Sequence, residues 1–256
     1  MEHERVPFTG TGVALVTLFD ADGGLDAAAT ARHAGHLVDR GVQGVVVAGT
    51  TGEAATLDAD ERSELLRAVR AAVAGRVPVL AGTGAPSARQ AVALSQRAAD
   101  DGADALLVLS PPRTDDPRPY YQAVAAAVAV PVLAYHFPAA SAPGIPVDLL
   151  CELPVAGIKD STGDPSRLAV ELDMMRGGVY TGSAALVLQA RAMGCSGSIL
   201  ALANIDPEGC ARAWEGDGRC QRELVNGHRS GALAGIAGLK RALAQLYGTS
   251  TASRTG

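Results

Sequence analysis

The chain has 256 residues, 48% of them hydrophobic and 19% charged, which is enough to bury a sizeable core in one large domain or two small ones. Its net charge of -5 comes from interspersed arginines and acids, which excludes the basic stripe of a nucleic-acid-binding protein and a polybasic membrane patch. No apolar run approaches the length of a membrane span, and residues 1–5 lack the pattern of a leader. We therefore expect a cytoplasmic protein without a nucleic-acid or membrane partner.

Cysteine and histidine positions predict neither a metal site nor a cofactor. The four cysteines, at positions 151, 195, 210 and 220, show no C-x-x-C spacing, and we interpret them as small apolar side chains in a reducing compartment. His33 and His36 share a helical face, but no carboxylate or cysteine joins them at ligand spacing. We interpret both as solvated surface histidines.

Short apolar runs alternate with longer segments of helical period from the first run to the last. The runs predicted as strands are 13–19, 44–49, 78–84, 105–110, 131–137, 155–161, 178–182 and 197–202. The segments predicted as helices between them are 26–40, 58–74, 87–101, 119–128, 146–152, 164–175 and 184–193. Asp26 and Asp58 have the character of N-caps, and Glu61 lies three residues after Asp58, as in a capping box.

Eight such units in sequence predict a (β/α)8 TIM barrel over residues 8–205. Three further helices, at 208–214, 220–229 and 233–247, predict a C-terminal helical extension over 206–248. The small polar segment 249–256 is expected to be a disordered tail. An open doubly wound sheet is the alternative, but it usually carries a G-x-G-x-x-G turn after its first strand, whereas Gly10-Thr11-Gly12 precedes the first strand predicted here.

One lysine lies where that residue type is least expected. Lys159 falls near the end of the apolar run 155–161, and Lys240 is the only other lysine among the 22 cationic residues. A guanidinium cannot act as a nucleophile at neutral pH, but an amine taken out of water can lose its proton and attack a carbonyl. Lys159 is thus either a Schiff-base former or a strand-end lysine paired with Asp160 or another carboxylate.

Barrel enzymes work at the carboxyl ends of their strands, so the residues that end each run form the candidate list. These residues are Thr50, Thr51, Glu53, Thr83, Arg113, Tyr135, Lys159 and Ser183. Because side chains alternate along a strand, an inward Lys159 implies an inward Ser161 and an Asp160 that faces the helices. Tyr135 lies at the same height in the neighbouring strand, where its phenol is either a proton carrier for an amine adduct or an amphipathic core residue.

Residues 49–53, Gly-Thr-Thr-Gly-Glu, form a second candidate site. The glycines allow a sharp turn that can present backbone amides and the hydroxyls of Thr50 and Thr51 to an anion such as a carboxylate. A turn that simply leads into a capped helix explains the same residues. Together, an amine, a phenol and an anion-binding turn would suit a 2-oxo acid.

These motifs resemble those of the dihydrodipicolinate synthase/N-acetylneuraminate lyase family. The resemblance rests on residues 49–53, on Tyr135 followed by Pro138, and on Gly-Ile-Lys-Asp-Ser at 157–161, and it extends over about residues 8–247. It implies a TIM barrel, assembly into a homo-oligomer (dimer or tetramer), and pyruvate chemistry through a lysine imine with no cofactor. It also implies that Lys159 forms the Schiff base, that Tyr135 shuttles protons, and that Gly49, Thr50 and Thr51 bind the carboxylate of the 2-oxo acid.

Two departures from the synthase pattern bear on the second substrate. Arg113 stands where those synthases carry a tyrosine, and Ala140 stands where they carry an arginine for the carboxylate of the aldehyde. We therefore expect an aldolase or dehydratase that acts on pyruvate or a longer 2-oxo acid, possesses no true dihydrodipicolinate synthase activity, and uses Arg113 and Ser183 in substrate binding. The alternatives are a non-catalytic 2-oxo-acid-binding or regulatory member and a phosphate-binding barrel with its anion site at Gly182, Ser183 and the loop after the eighth strand.

Overall fold

Eight parallel strands close into a barrel in chain order, which confirms the predicted (β/α)8 architecture. The computed structural model describes residues 6–229 and 235–255. The strands are β1 (Gly10–Ala14), β2 (Gly44–Val47), β3 (Val79–Gly82), β4 (Ala105–Leu109), β5 (Val132–His136), β6 (Gly157–Asp160), β7 (Gly178–Thr181) and β8 (Gly197–Leu200). Each strand pairs with the next, and β8 pairs with β1, so the barrel has no open edge.

Helices surround this barrel and extend beyond it. They are α1 (Ala27–Asp39), α2 (Ala59–Val73), α3 (Ala88–Asp100), α4 (Arg118–Ala127), α5 (Pro165–Met174), α6 (Val187–Met193), α7 (Pro207–Trp214), α8 (Gly218–Arg229) and α9 (Gly235–Tyr247). Between β5 and β6 the connection is a 3₁₀ helix, Val147–Glu152, instead of an α-helix. The predicted start of the last helix at Leu233, the terminal Gly256 and residues 1–5 lie outside the described residues.

The helix starts follow local side-chain chemistry. Asp26 accepts a hydrogen bond from the Ala29 amide at 2.8 Å and caps α1. Asp58 caps α2 through the Glu61 amide, and the Glu61 carboxylate accepts in return from the Asp58 amide at 3.1 Å. This is the predicted capping box, and it satisfies amides that the first turn of a helix leaves unpaired.

The first strand begins earlier than predicted. Gly10, Thr11 and Gly12 do not precede β1 but belong to it. The reason is the Phe8 ring at the amino-terminal end of the barrel: a β-carbon at Gly12 would lie 2.5 Å from Phe8 Cζ, and one at Gly44 would lie 2.6 Å from its Cδ1. Glycine, which usually weakens a strand, is required here because a large side chain fills the space.

Residues 249–255 correct the expectation of a disordered tail. Ser253 Oγ donates to Glu53 Oε2 at 2.9 Å, and the Arg254 amide donates to the same oxygen at 2.8 Å. The Arg254 guanidinium forms two hydrogen bonds with Glu61, of 2.8 and 2.6 Å. The small polar composition of the segment gives no sign of these contacts, because the partner is the buried Glu53 carboxylate, which lies about 200 residues earlier in the sequence.

The interpretation of His33 as a solvated surface residue needs correction, whereas His36 is exposed as expected. His33 is buried, and its ring packs 5.5 Å from that of Tyr247. Burial lowers the pKa of His33 to about 4, so the imidazole is neutral at pH 7. Of the four cysteines, Cys151 is exposed and the other three are buried.

No described helix is both long enough and apolar enough to cross a membrane.

Candidate active site

Lys159 lies on the inner face of β6, directly beside Tyr135. The two residues are partners in the parallel register of β5 and β6, and Lys159 Nζ lies 4.3 Å from the centre of the Tyr135 ring. The lysine is 5% exposed, and among the described residues no carboxylate forms an ion pair with it. A buried amine with no counter-charge is uncommon, and such an amine is available for chemistry.

Asp160 does not pair with its neighbour Lys159 because it faces the helices, as the strand alternation predicts. Its Oδ2 accepts from Arg167 Nε at 3.0 Å, and its Oδ1 accepts from the Thr162 amide at 2.9 Å. These contacts hold the chain after β6 and thereby keep Lys159 on the opposite, inner face. The alternative of a structural Lys159–Asp160 ion pair is not what the structure contains.

Ionisable side chains cluster around Asp160 behind β6. Arg167 Nε lies 2.8 Å from Glu171 Oε1, yet burial and, after it, the Asp160 carboxylate raise the pKa of Glu171 to about 8. Burial, followed by the charge of Arg167, lowers the pKa of His136 to about 4. The neutral His136 ring accepts a hydrogen bond at Nδ1 from the Ile145 amide, at 2.8 Å. The cluster stabilises the outer side of the strand that carries Lys159.

Gly182, directly after β7, makes room for the lysine. A β-carbon at this position would lie 2.0 Å from Ser161 Oγ and 3.0 Å from Lys159 Cε. Ser161 Oγ in turn lies 3.4 Å from the Tyr135 hydroxyl, with the serine as donor. Lysine, serine and tyrosine therefore occupy one compact space that exists because residue 182 lacks a side chain.

A cavity of about 480 Å³ opens above these residues, at the carboxyl ends of the strands. This volume is in the usual range for small-molecule sites. Its polar lining consists of Thr50, Thr51, Tyr135, Lys159, Ser161, Thr162 and Ser183. The structure thus brings together five residues proposed from the sequence: Thr50, Thr51, Tyr135, Lys159 and Ser183.

The loop after β2 has the form expected of an anion-binding turn. Its Glu53 has a left-handed backbone with φ 55°, and the Glu53 amide closes the turn by donating to Thr50 O at 3.1 Å. The Ala54 amide donates to Gly49 O. Within the described part of the chain, the amides of Thr50 and Thr51 have no protein acceptor. Gly49 shapes the turn but does not itself line the cavity.

Arg113, expected to bind substrate, is not brought to this cavity. It is exposed, its backbone is left-handed at φ 61°, and its amide donates to Ala142 O at 2.8 Å. The nearby Asp116 carboxylate binds Arg118, at 2.8 Å, and forms no ion pair with Arg113 within the described residues. Sequence position at the end of β4 indicated the right end of the barrel, but the turn carries the side chain away from the lining.

Two other strand-end candidates also serve elsewhere. Thr83 Oγ1 accepts a hydrogen bond from Ser95 on α3, at 2.9 Å. The Glu53 carboxylate is fully buried and binds Lys240 on α9. Both side chains therefore face away from the cavity that holds Lys159.

Sequence reasoning missed the apolar part of the lining. Besides Ile199 within β8, four large apolar side chains border the cavity, and we call these four the apolar wall: Phe137, Leu202, Ile236 and Leu239. The alternation that places Tyr135 inward also predicts an inward Phe137, and the two rings stack at 5.9 Å. No local signal identifies Ile236 and Leu239, because α9 reaches the cavity only through tertiary packing.

The fold and the cavity together define a TIM-barrel protein whose candidate small-molecule site lies at the carboxyl ends of its strands. The model of the dihydrodipicolinate synthetase family matches residues 7–232, so the chain belongs to that family. This confirms the resemblance drawn from the motifs.

Individual relatives span most of the chain. It is 38% identical over 229 residues to a 4-hydroxy-tetrahydrodipicolinate synthase of Pseudomonas aeruginosa, covering 84% of this chain and 78% of that protein. It is 39% identical over 255 residues to an uncharacterized DapA-like lyase of Halobacterium salinarum, covering 93% and 84%. A similar solved structure is that of YagE from E. coli K12, a prophage protein of the dihydrodipicolinic acid synthase family in complex with pyruvate. It superposes on this chain with a TM-score of 0.91 at 27% sequence identity, and the match covers 97% of this chain and 92% of YagE.

Proposed function

We propose that the protein is a Schiff-base-forming lyase, an aldolase or a dehydratase, that acts on pyruvate or a longer 2-oxo acid. The observation that carries the proposal is Lys159 itself, a buried amine that pairs with no carboxylate of the described residues and lies 4.3 Å from the centre of the Tyr135 ring in the cavity. The pyruvate complex of the similar protein YagE supports the same substrate class.

In the proposed mechanism, the Lys159 amine attacks C2 of the 2-oxo acid, and the resulting carbinolamine loses water to give an imine. The protonated imine accepts the electrons of a C3–H bond and becomes an enamine. The enamine then forms a carbon–carbon bond with an aldehyde, or it expels a hydroxyl group at C4 as water. Tyr135, with Ser161 beside its hydroxyl, transfers the protons that these steps require.

We assign the C1 carboxylate of the 2-oxo acid to the loop after β2. The hydroxyls of Thr50 and Thr51 line the cavity, and the amides of both residues have no acceptor within the described residues. Two amides and two hydroxyls are a suitable donor set for a carboxylate. Ser183 offers a further hydroxyl on the Lys159 side of the cavity.

We further propose that the protein is not a dihydrodipicolinate synthase, although relatives at 38% identity carry that name. Ala140 has no donor for the carboxylate of aspartate semialdehyde, and Arg113 lies outside the cavity lining. Losing a charged hydrogen bond to substrate costs about 2–3 kcal/mol, so synthase turnover should fall by orders of magnitude. A coupled assay with pyruvate and aspartate semialdehyde tests this, and turnover comparable with that of a true synthase would contradict it.

Borohydride trapping tests the imine. Borohydride added with pyruvate should inactivate the protein and leave one reduced adduct on Lys159, located by peptide mass analysis. Lys240 is an internal control because its amine binds Glu53 and Ala252 O. Lys159→Arg keeps the charge, removes the nucleophile and should abolish trapping. An adduct on Lys240, or none with any 2-oxo acid, would overturn the imine mechanism.

Turnover separates the enzyme from a non-catalytic binder. Trapping without release of pyruvate from any aldol, and without dehydration of any hydroxylated 2-oxo acid, would favour a binding or regulatory role. The phosphate-binding alternative has less support, because Gly182 has a specific role in seating Lys159 and Ser161. The homo-oligomer implied by the family resemblance stays a prediction, to be checked by sedimentation.

A further inference from the structure

The cavity above Lys159 is asymmetric in chemistry. Of the side chains that line it in the described part of the chain, Lys159 is the only charged one. The polar lining on the other strands consists of hydroxyl groups, while the apolar wall contributes the larger side chains near the opening. A substrate chain that extends from the imine along the apolar wall therefore meets hydrocarbon.

The apolar wall stands on two sides of the route out of the site. Phe137 follows β5, whereas Leu202 follows β8 and Leu239 packs with Val16 and Leu18 just after β1. In a closed eight-stranded barrel in chain order, β5 lies opposite β1. A substrate chain that leaves Lys159 on β6 thus passes between the Phe137 ring on one side and the side chains of α9 on the other.

Apart from Lys159, no cationic side chain of the described residues lines this space. Lys240 on α9 is bound by Glu53, and Arg254 is bound by Glu61. A carboxylate buried without a cation or several donors is strongly disfavoured, and the Thr50–Thr51 loop is already assigned to the C1 carboxylate.

We infer that the part of the substrate beyond its ketone is uncharged and mainly hydrocarbon: an aliphatic or aromatic chain on a longer 2-oxo acid, or the chain of the aldehyde that such an acid releases. The inference rests on the proposed function, because it places the ketone at Lys159. It adds the substrate class and names Phe137, Leu202, Ile236 and Leu239 as the side chains that select it.

Two six-carbon acids give a matched test. 2-Oxohexanoate and 2-oxoadipate share the ketone and the C1 carboxylate and differ only at C6, which is a methyl group in one and a carboxylate in the other. Borohydride trapping at Lys159 is measured against the concentration of each acid, with pyruvate as reference. The half-saturating concentration of 2-oxohexanoate should be lower than that of 2-oxoadipate by about tenfold or more, since unpaired burial of one carboxylate exceeds the ~1.4 kcal/mol that this ratio represents.

A variant of the wall shows whether these side chains are responsible. Ile236 is only partly buried at the opening, so the protein should fold with Ile236→Arg, which supplies a cation at the wall. The preference, with the trapping of each six-carbon acid expressed relative to pyruvate trapping by the same variant, should shift towards 2-oxoadipate by about tenfold. Leu246→Arg makes a similar apolar-to-cationic change on the same helix at a side chain that is 57% exposed, and it should leave the preference as in the wild type.

The outcomes distinguish this inference from the proposed function. If pyruvate gives no adduct on Lys159, the imine mechanism fails and the inference falls with it. If pyruvate is trapped but 2-oxoadipate is captured as well as 2-oxohexanoate, or neither six-carbon acid is captured, only the inference is overturned. An equal shift of the preference in Ile236→Arg and Leu246→Arg would likewise contradict the inference that the apolar wall selects the substrate.

Discussion

The Lys240 amine on α9 binds the Glu53 carboxylate in the loop after β2, and both side chains are fully buried. The carboxylate also accepts hydrogen bonds from Ser253 Oγ and from the amides of Arg254 and Thr255. Although burial acts in the opposite direction, these donors, with Lys240 foremost, hold the pKa of Glu53 below its ordinary value. The Glu53 side chain thereby joins the Thr50–Thr51 loop to α9, the helix that carries Ile236 and Leu239 of the apolar wall.

Removing Lys240 should therefore destabilise the protein. Lys240→Met keeps the length of the side chain but leaves Glu53 buried without its cation, a change that typically costs roughly 3–5 kcal/mol in free energy of unfolding. Urea denaturation measures the loss. Arg241→Met, at the next and exposed position of α9, is the matched control and should stay within about 0.5 kcal/mol of wild type. A loss below ~1 kcal/mol for Lys240→Met would mean that the tail donors alone satisfy Glu53.

Gly182→Ala should slow imine formation. The added methyl group would lie 2.0 Å from Ser161 Oγ and 3.0 Å from Lys159 Cε, so one of these side chains must move. A displacement of about 1 Å at a reacting group can cost roughly 10²-fold in rate, which the rate of adduct formation with pyruvate would report. Gly35→Ala in α1, where the nearest atom to the new carbon is 3.9 Å away, is the control and should react as wild type. Unchanged trapping in Gly182→Ala would show that the site adapts freely.

Tyr135→Phe should separate imine formation from proton transfer. The ring remains beside Lys159, so folding and pyruvate binding should persist, while turnover falls by roughly 10²-fold or more because a general acid–base is lost. Tyr180→Phe provides the comparison: its hydroxyl donates to Phe8 O at 2.6 Å at the amino-terminal end of the barrel. That variant should lose about 1 kcal/mol of stability and keep its turnover number. Near-normal turnover in Tyr135→Phe would show that Tyr135 only packs in the core and transfers no proton in the reaction.

Glu171 should make the stability of the protein depend on pH. Its pKa is raised from 4.5 to about 8, so between these values the folded protein retains a proton that the unfolded chain has released. The free energy of unfolding should therefore fall as pH rises through this window, by at most about 1.4 kcal/mol per pH unit from this group.

Glu171→Gln removes the ionisable carboxyl group, so its protonation no longer contributes to the pH dependence of the free energy of unfolding. The stability of the variant relative to wild type should rise between pH 5 and 8 and level off above pH 8, as measured by denaturation at several pH values. The contributions of His33 and His136, whose pKa values are lowered to about 4, largely cancel in this difference. Glu223→Gln, at an exposed ion pair with Arg219, should show a flat difference, and a flat profile for Glu171→Gln would contradict the raised pKa.

Local patterns in the sequence predicted the barrel and the centre of the candidate site. Apolar runs and helix caps are short-range features, and strand alternation with chain-order pairing was enough to place Tyr135 beside Lys159. The first strand was misplaced because Gly10 and Gly12 look like turn residues until Phe8 is known to pack against them. The strand propensity of single residues contains no information on a packing contact such as that of Phe8 with these glycines.

Long-range packing explains the remaining differences. The chain end binds Glu53 across about 200 residues of sequence, and α9 supplies two residues of the apolar wall without any motif. Arg113 was placed at the right end of the barrel, but its left-handed backbone directs the side chain outside the lining. Each of these outcomes depends on where a loop or helix docks, and the residues involved carry no periodic signal.

The burial of both lysines has a practical consequence for peptide mapping. Arg–Pro bonds resist trypsin, so digestion of the unmodified protein yields the fragments 114–159 and 160–167, which meet at Lys159. A reduced 2-oxo acid adduct on that amine blocks the cleavage, and the two fragments are then recovered as one, 114–167. With no ε-amine outside Lys159 and Lys240, each at most 5% exposed, the fused fragment is a direct and nearly background-free record of occupancy at the site.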